Sequence, residues 1–111
     1  MQSRAMRVPV WDVAASFGGY TATIVNISRS GVLLALHRSG PTPGEQGQVV
    51  FELAQPVALA GTVVREHEER PRPRNRQPLW HVAIAFDLSD PAAVASAVQQ
   101  VMAAQRHRRV A

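Results

Sequence analysis

Large apolar residues at Trp80, Val82, Ile84 and Phe86, with His81, Ala83 and Ala85 between them, mark the clearest element of the chain. Alternation with a period of two sets one face of a strand against a core, so 79–86 is expected to be a strand. β-Favouring runs at 20–27 and 31–36 predict two more, and shorter apolar runs at 48–53 and 57–65 predict another pair. Residues 7–13 read as an irregular first strand, in which Pro9 requires an edge or the strand's beginning. Gly61, inside the 57–65 run, predicts a bulge or a sharply coiled strand.

Breaks fall between these runs at Gly18-Gly19, Ser39-Gly40-Pro41, Pro43-Gly44 and Gln55-Pro56. Residues 66–78, with four acidic or histidine residues followed by arginines and prolines, show no core periodicity and read as a long exposed hairpin loop. A different period begins at Asp90-Pro91, where the aspartate can cap free N–H groups and the proline suits a first helical position. Val94, Val98, Val101 and Gln105 then recur at helical spacing, and with Ala97 and Met102 the valines form an apolar stripe on a helix of roughly 15 residues. Six short strands and one C-terminal α-helix leave no helix to carry parallel crossovers. The expected fold is all-β, a small six-stranded antiparallel β-barrel with the helix packed against it. Barrel closure removes exposed strand edges, although pattern alone leaves the strand order open.

Composition narrows the chemistry. The 111 residues contain no cysteine, which excludes disulfides, thiolate metal sites and thiol nucleophiles, and suits one domain over 1–111 with one modest core. A flexible arm at 1–7 and a basic tail at 106–111 are expected to flank it. No run approaches the roughly 18–20 apolar residues that span a bilayer, and the N-terminal stretch lacks a secretory apolar core, so a cytoplasmic location is expected. The formal charge is +4 and every strong cation is an arginine, whose planar donor fork suits phosphates and the Hoogsteen edge of guanine.

The candidate chemistry lies in Asn26-Ile27-Ser28-Arg29-Ser30-Gly31, a polar corner between two apolar strands. Strand alternation would place Asn26 and Ser28 on one side, offering an amide and a hydroxyl beside an apolar surface, while Gly31 could hold a backbone conformation unfavourable to other residues. These groups match a planar base edge; they are also ordinary turn formers that satisfy their own backbone. Arg29 on this corner is read as solvent-facing or as a phosphate contact.

This corner resembles the Asp/Asn-x-Ser-x-x-Gly signature of PilZ domains, and the chain from Arg4 to about Ala104 is similar to the rest of that domain, including Gly61-Thr62-Val63-Val64 and Ala83-Ile84-Ala85-Phe86. The resemblance implies a small β-barrel with a C-terminal helix that binds cyclic di-GMP. It implies that Asn26 and Ser28 contact a guanine edge, that Gly31 maintains the corner, and that an N-terminal Arg-x-x-x-Arg wraps the ligand. Ser3-Arg4-Ala5-Met6-Arg7 is the matching stretch: Arg7 fits the final arginine, Ser3 stands where the first is expected, and Arg4 is one position late. Two roles follow: a cyclic di-GMP sensor or adaptor using Arg4, Arg7, Asn26, Ser28 and Gly31, or a protein interaction module in type IV pilus or motility control with weak or absent ligand binding. A protein partner is expected in either case.

Other features carry less. Arg65, Arg70, Arg72, Arg74 and Arg76 are interleaved with Glu66, Glu68 and Glu69, and Trp11 and Trp80 read as core residues rather than stacking platforms, so a nucleic-acid partner is not expected. His37, His67, His81 and His107 are scattered along the chain without a ligand-type spacing, so no metal site is expected. There is no phosphate loop, nucleophile elbow or acid–base cluster, and the chain reads as a binding protein rather than an enzyme.

Overall fold

The computed structural model describes residues 6–11, 13–69 and 78–110, and for 106–110 the backbone alone. Seven strands and one helix follow in order: β1 (Val8–Pro9), β2 (Ala14–Phe17), β3 (Tyr20–Ile27), β4 (Gly31–Leu36), β5 (Gln46–Phe51), β6 (Val57–Glu69), β7 (Leu79–Phe86) and α1 (Pro91–Val110). All pairings are antiparallel, and the β3–β4 pairing closes the order β3-β2-β5-β6-β7-β4 into a six-stranded barrel.

Of the irregular first strand expected over 7–13, only Val8–Pro9 is strand, and a second piece, Ala14–Phe17, lies just beyond it where none was expected. β1 pairs with the far end of β3 through Val8↔Ile27 and Pro9↔Asn26, and β2 pairs with its near end through Ala14↔Thr23 to Phe17↔Tyr20. Between them, the Val10 N–H donates to Val25 O and the Ile24 N–H donates to Val13 O, so both pieces follow one edge of β3. The seventh strand was hidden because Ala14-Ala15-Ser16-Phe17 is too short and too small in its side chains to announce itself as a β run. The two-residue turn after it needs positive φ at both positions, which Gly18 (56°) and Gly19 (88°) supply.

Where alternation was strongest it is borne out in part, since Ala83 is buried as well and Trp80 only half-buried. β7 buries Val82, Ile84 and Phe86, and the barrel interior also takes Phe17, Ile24, Ile27, Leu34, Val49, Phe51 and Val63. Boundaries moved elsewhere. β5 starts and ends two residues earlier than its apolar run, and β6 continues four residues past Arg65, so 66–69 belong to a strand rather than to the expected loop. The remaining loop arginines, Arg70, Arg72, Arg74 and Arg76, lie outside the described residues. The β6 irregularity falls between Val63 and Arg65, not at Gly61. Gly61 is instead a packing glycine: a Cβ there would come within 2.6 Å of Ile84 Cγ2.

α1 begins as expected, with the Ala93 N–H donating to Asp90 Oδ1 at 3.1 Å. Its stripe of Val94, Ala97 and Val101 is buried in the same core as the barrel strands, with Val98 half-buried beside it. The helix spans 20 residues rather than 15, so 106–110, expected as a tail, continue its backbone. Gln105 is buried, and its Oε1 accepts the Trp11 backbone N–H at 2.9 Å, joining the last turns of the helix to the segment between β1 and β2. Trp11 itself is 53% exposed and not the core residue expected; the break between β1 and β2 turns it outward, whereas Trp80 packs against the core. No helix among the described residues is long and apolar enough to cross a membrane.

Candidate functional site at the β3–β4 corner

Asn26 sits at a crossing of strands. It pairs with Pro9 of β1 on one side and Leu33 of β4 on the other, and the β3–β4 register shifts between Ile24 and Asn26. Pro9 has no N–H to give, and the bulge re-aims the strand just before the corner. The result is a side-chain oxygen, Asn26 Oδ1, that is buried and has no hydrogen-bond partner among the described residues. An acceptor left unpaired in this way costs about 1–3 kcal/mol, so a group that supplies a donor there is bound with that penalty removed.

Ser28 is placed differently. It is 3% exposed, and its Oγ faces the turn: it accepts the Ser30 N–H at 3.1 Å and the Gly31 N–H at 3.3 Å, and lies 2.9 Å from Ser30 Oγ and 3.5 Å from Gly31 O. The Ser28 N–H also donates to Gly31 O at 2.9 Å. The hydroxyl therefore does for the corner what a backbone carbonyl does in an ordinary hairpin. Ser28→Ala removes the acceptor shared by two N–H groups and is expected to cost about 1–2 kcal/mol. A lowered urea midpoint with an unchanged denaturant slope would show it; an unchanged midpoint would remove the hydroxyl from the turn's energetics.

Gly31 holds the corner for a reason that conformational freedom does not supply, since its φ lies outside the left-handed region. A Cβ on Gly31 would lie 2.3 Å from the carbonyl oxygen of Ile84. β4 and β7 approach closely here, with Gly31 opposite Ala85, and the Phe86 N–H donating to Ser30 O at 2.9 Å. The glycine lets the corner lie directly against β7.

Around this corner the surface is concave. One groove of about 390 Å³ is lined by Met6, Val8, Ile27, Ser28, Arg29, Val98 and Met102. A second of about 530 Å³ shares Arg29, Val98 and Met102 and runs along α1 past Ala95, Gln99 and Ala103. Together they lie between β1, the 26–31 corner and the helix, in the size range of small-molecule sites. Apolar side chains from β1, β3 and the helix contribute to their walls, and among the described residues their one cation is Arg29. Arg7 is exposed and stands one residue before Val8, whose partner is Ile27, so the backbone register brings it to the same corner. Arg4 lies outside the described residues. A separate depression of about 470 Å³ on β5 and β6, lined by Gln46, Gly47, Gln48, Ala60, Gly61, Thr62 and Asp87, offers a carboxylate and, among the described residues, no cation.

Sequence reasoning did not foresee the helix wall of this site. Val98 and Met102 were assigned to an apolar stripe, which they are, but they form its half-buried shoulder and so also face the groove. Their spacing from the fully buried Val94, Ala97 and Val101 is the only signal that could have distinguished them. Arg29, read as solvent-facing or as a phosphate contact, lines both grooves.

No curated protein matches the chain. The model of one family, the PilZ domain, matches residues 4–103, a span that takes in the barrel, the 26–31 corner and most of the helix; the chain belongs to the PilZ domain family.

Proposed function

We propose that this chain is a cyclic di-GMP-binding sensor or adaptor and that the ligand sits at the β3–β4 corner. PilZ domains form a family of cyclic di-GMP receptors and adaptors. The single observation that carries the reading is the unpartnered, buried Asn26 Oδ1. A guanine presents N–H donors on its Watson–Crick edge, which an amide oxygen accepts, while its O6 and N7 suit an arginine fork. In this reading Asn26 takes a guanine edge, Arg29 and Arg7 meet phosphate or the Hoogsteen edge, and Arg4 adds charge from the arm. Ser28 and Gly31 act through the shape of the corner. Val98 and Met102 supply an apolar floor for a base face. Binding draws the N-terminal arm onto the barrel and changes the surface offered to a protein partner, without catalysis.

Calorimetric titration of the full chain with cyclic di-GMP tests this. Micromolar or tighter binding is expected, weakened about ten- to a hundredfold by Arg7→Ala and by Asn26→Ala, the range of a lost charged or buried hydrogen bond. No heat of binding near millimolar ligand would overturn it. Ser3, where the family's first arginine is expected, favours the second reading, a PilZ interaction module with little ligand affinity, and that result would support it.

A further inference from the structure

Two of the four histidines scattered along the chain, His67 and His81, meet in space. β6 and β7 pair with His67 opposite His81, and Glu69 is two residues from His67 on the same strand face. Period-two geometry therefore gathers an imidazole, a carboxylate and a second imidazole on the outer face of one hairpin. Glu69 Oε1 lies 2.8 Å from His67 Nε2 and 3.0 Å from His81 Nδ1, and the two rings meet edge to face at 5.5 Å. The donor atoms of all three residues lie within 4.8 Å of one another.

We propose that His67, Glu69 and His81 form a site for a divalent transition-metal ion, zinc being the natural occupant. Tetrahedral zinc with bonds of about 2.0–2.1 Å holds its ligand atoms about 3.3–3.4 Å apart; the carboxylate oxygen has to move back by a few tenths of an ångström, and the two imidazole nitrogens, within 4.8 Å of each other, have to turn toward a common centre. Two imidazoles and a carboxylate, with no thiolate, match zinc, cobalt, nickel or copper, whereas calcium and magnesium prefer oxygen sets. Three protein ligands leave a fourth position for water or for a partner's side chain. Both rings present to the carboxylate the nitrogen that the metal requires as a lone pair, so binding needs a change of tautomer or loss of a ring proton.

The site is independent of the proposed nucleotide site. His81 is four residues along β7 from Ala85, which faces Gly31, a separation of about 13 Å along an extended strand. A metal there would clamp β6 to β7 at the end of the hairpin that leads into residues 70–77.

The test is titration of the tag-free, metal-free full chain with zinc by calorimetry and with cobalt by visible absorption, whose intense bands report four-coordination. One ion per chain with a dissociation constant below about 100 μM is expected, with His81→Ala and Glu69→Gln each weakening it at least about tenfold and His37→Ala leaving it unchanged. Circular dichroism of each variant checks that the exposed substitutions leave the barrel intact. Binding weaker than about 100 μM, or equal affinity in His81→Ala, would overturn the assignment. Cyclic di-GMP affinity should be the same in His81→Ala as in the native chain, so the outcome for the metal is separate from that for the nucleotide.

Discussion

Gly31→Ala is expected to lower the stability of the folded chain by about 2–3 kcal/mol, a fall of roughly 8–15 °C in Tm for a domain of this size. The added methyl would lie 2.3 Å from the Ile84 carbonyl oxygen, inside any real contact distance. That oxygen belongs to the backbone of β7, which is paired with β4 on one side and β6 on the other, so no rotamer change can relieve the clash. Relief requires β4 to move away from β7, which strains the Phe86 to Ser30 hydrogen bond and the corner's own turn. Thermal unfolding followed by circular dichroism measures the effect. A change of less than about 2 °C would mean that the sheet yields at this point far more easily than paired backbones normally do.

Phe51→Ala should cost still more, about 3–5 kcal/mol, because it leaves a cavity the size of a ring in a closed barrel. Phe51 is fully buried, pairs with Ala15 of β2 and Val57 of β6, and sets its ring edge-on to Phe86 at 6.4 Å. Collapse around the cavity is hindered because all six ring strands are hydrogen-bonded to neighbours on both sides. Since a domain of this kind is stable by about 5–15 kcal/mol in total, the variant is expected to lose a large share of its margin and to lower the urea midpoint by roughly 1–3 M. A loss below about 1 kcal/mol would show that the barrel can repack across this layer.

Three strands and the start of the helix could be read directly, because their patterns arise from burial. The Tyr20–Ile27, Gly31–Leu36 and Leu79–Phe86 strands have clear limits because β-favouring or alternating apolar residues run up to a glycine, proline or polar break. β2 could not be read the same way: its position depends on pairing with β3 and β5, and alanines and a serine suit a loop as well as a strand. The extension of β6 through Glu69 was illegible for a related reason. That part of the hairpin buries little, so its strand character comes from hydrogen bonding to β7 and leaves no hydrophobic period behind.

At the corner, residue types were legible and their duties were not. Asn26, Ser28 and Gly31 could be singled out as a signature. Only the fold shows that the serine is engaged in the turn while the asparagine oxygen is left unpaired. Likewise His81 is far in sequence from His67 and Glu69 until the β6–β7 register aligns them.

The bond between the Trp11 N–H and Gln105 Oε1 joins positions 94 apart in the chain. The ring of six strands is hydrogen-bonded without β1 and without α1, and this bond ties the segment that follows β1 to the helix. Displacing the segment between β1 and β2 therefore takes away the donor that the buried Gln105 side-chain oxygen accepts, so the position of that segment and the satisfaction of the helix's last buried polar group are one and the same condition.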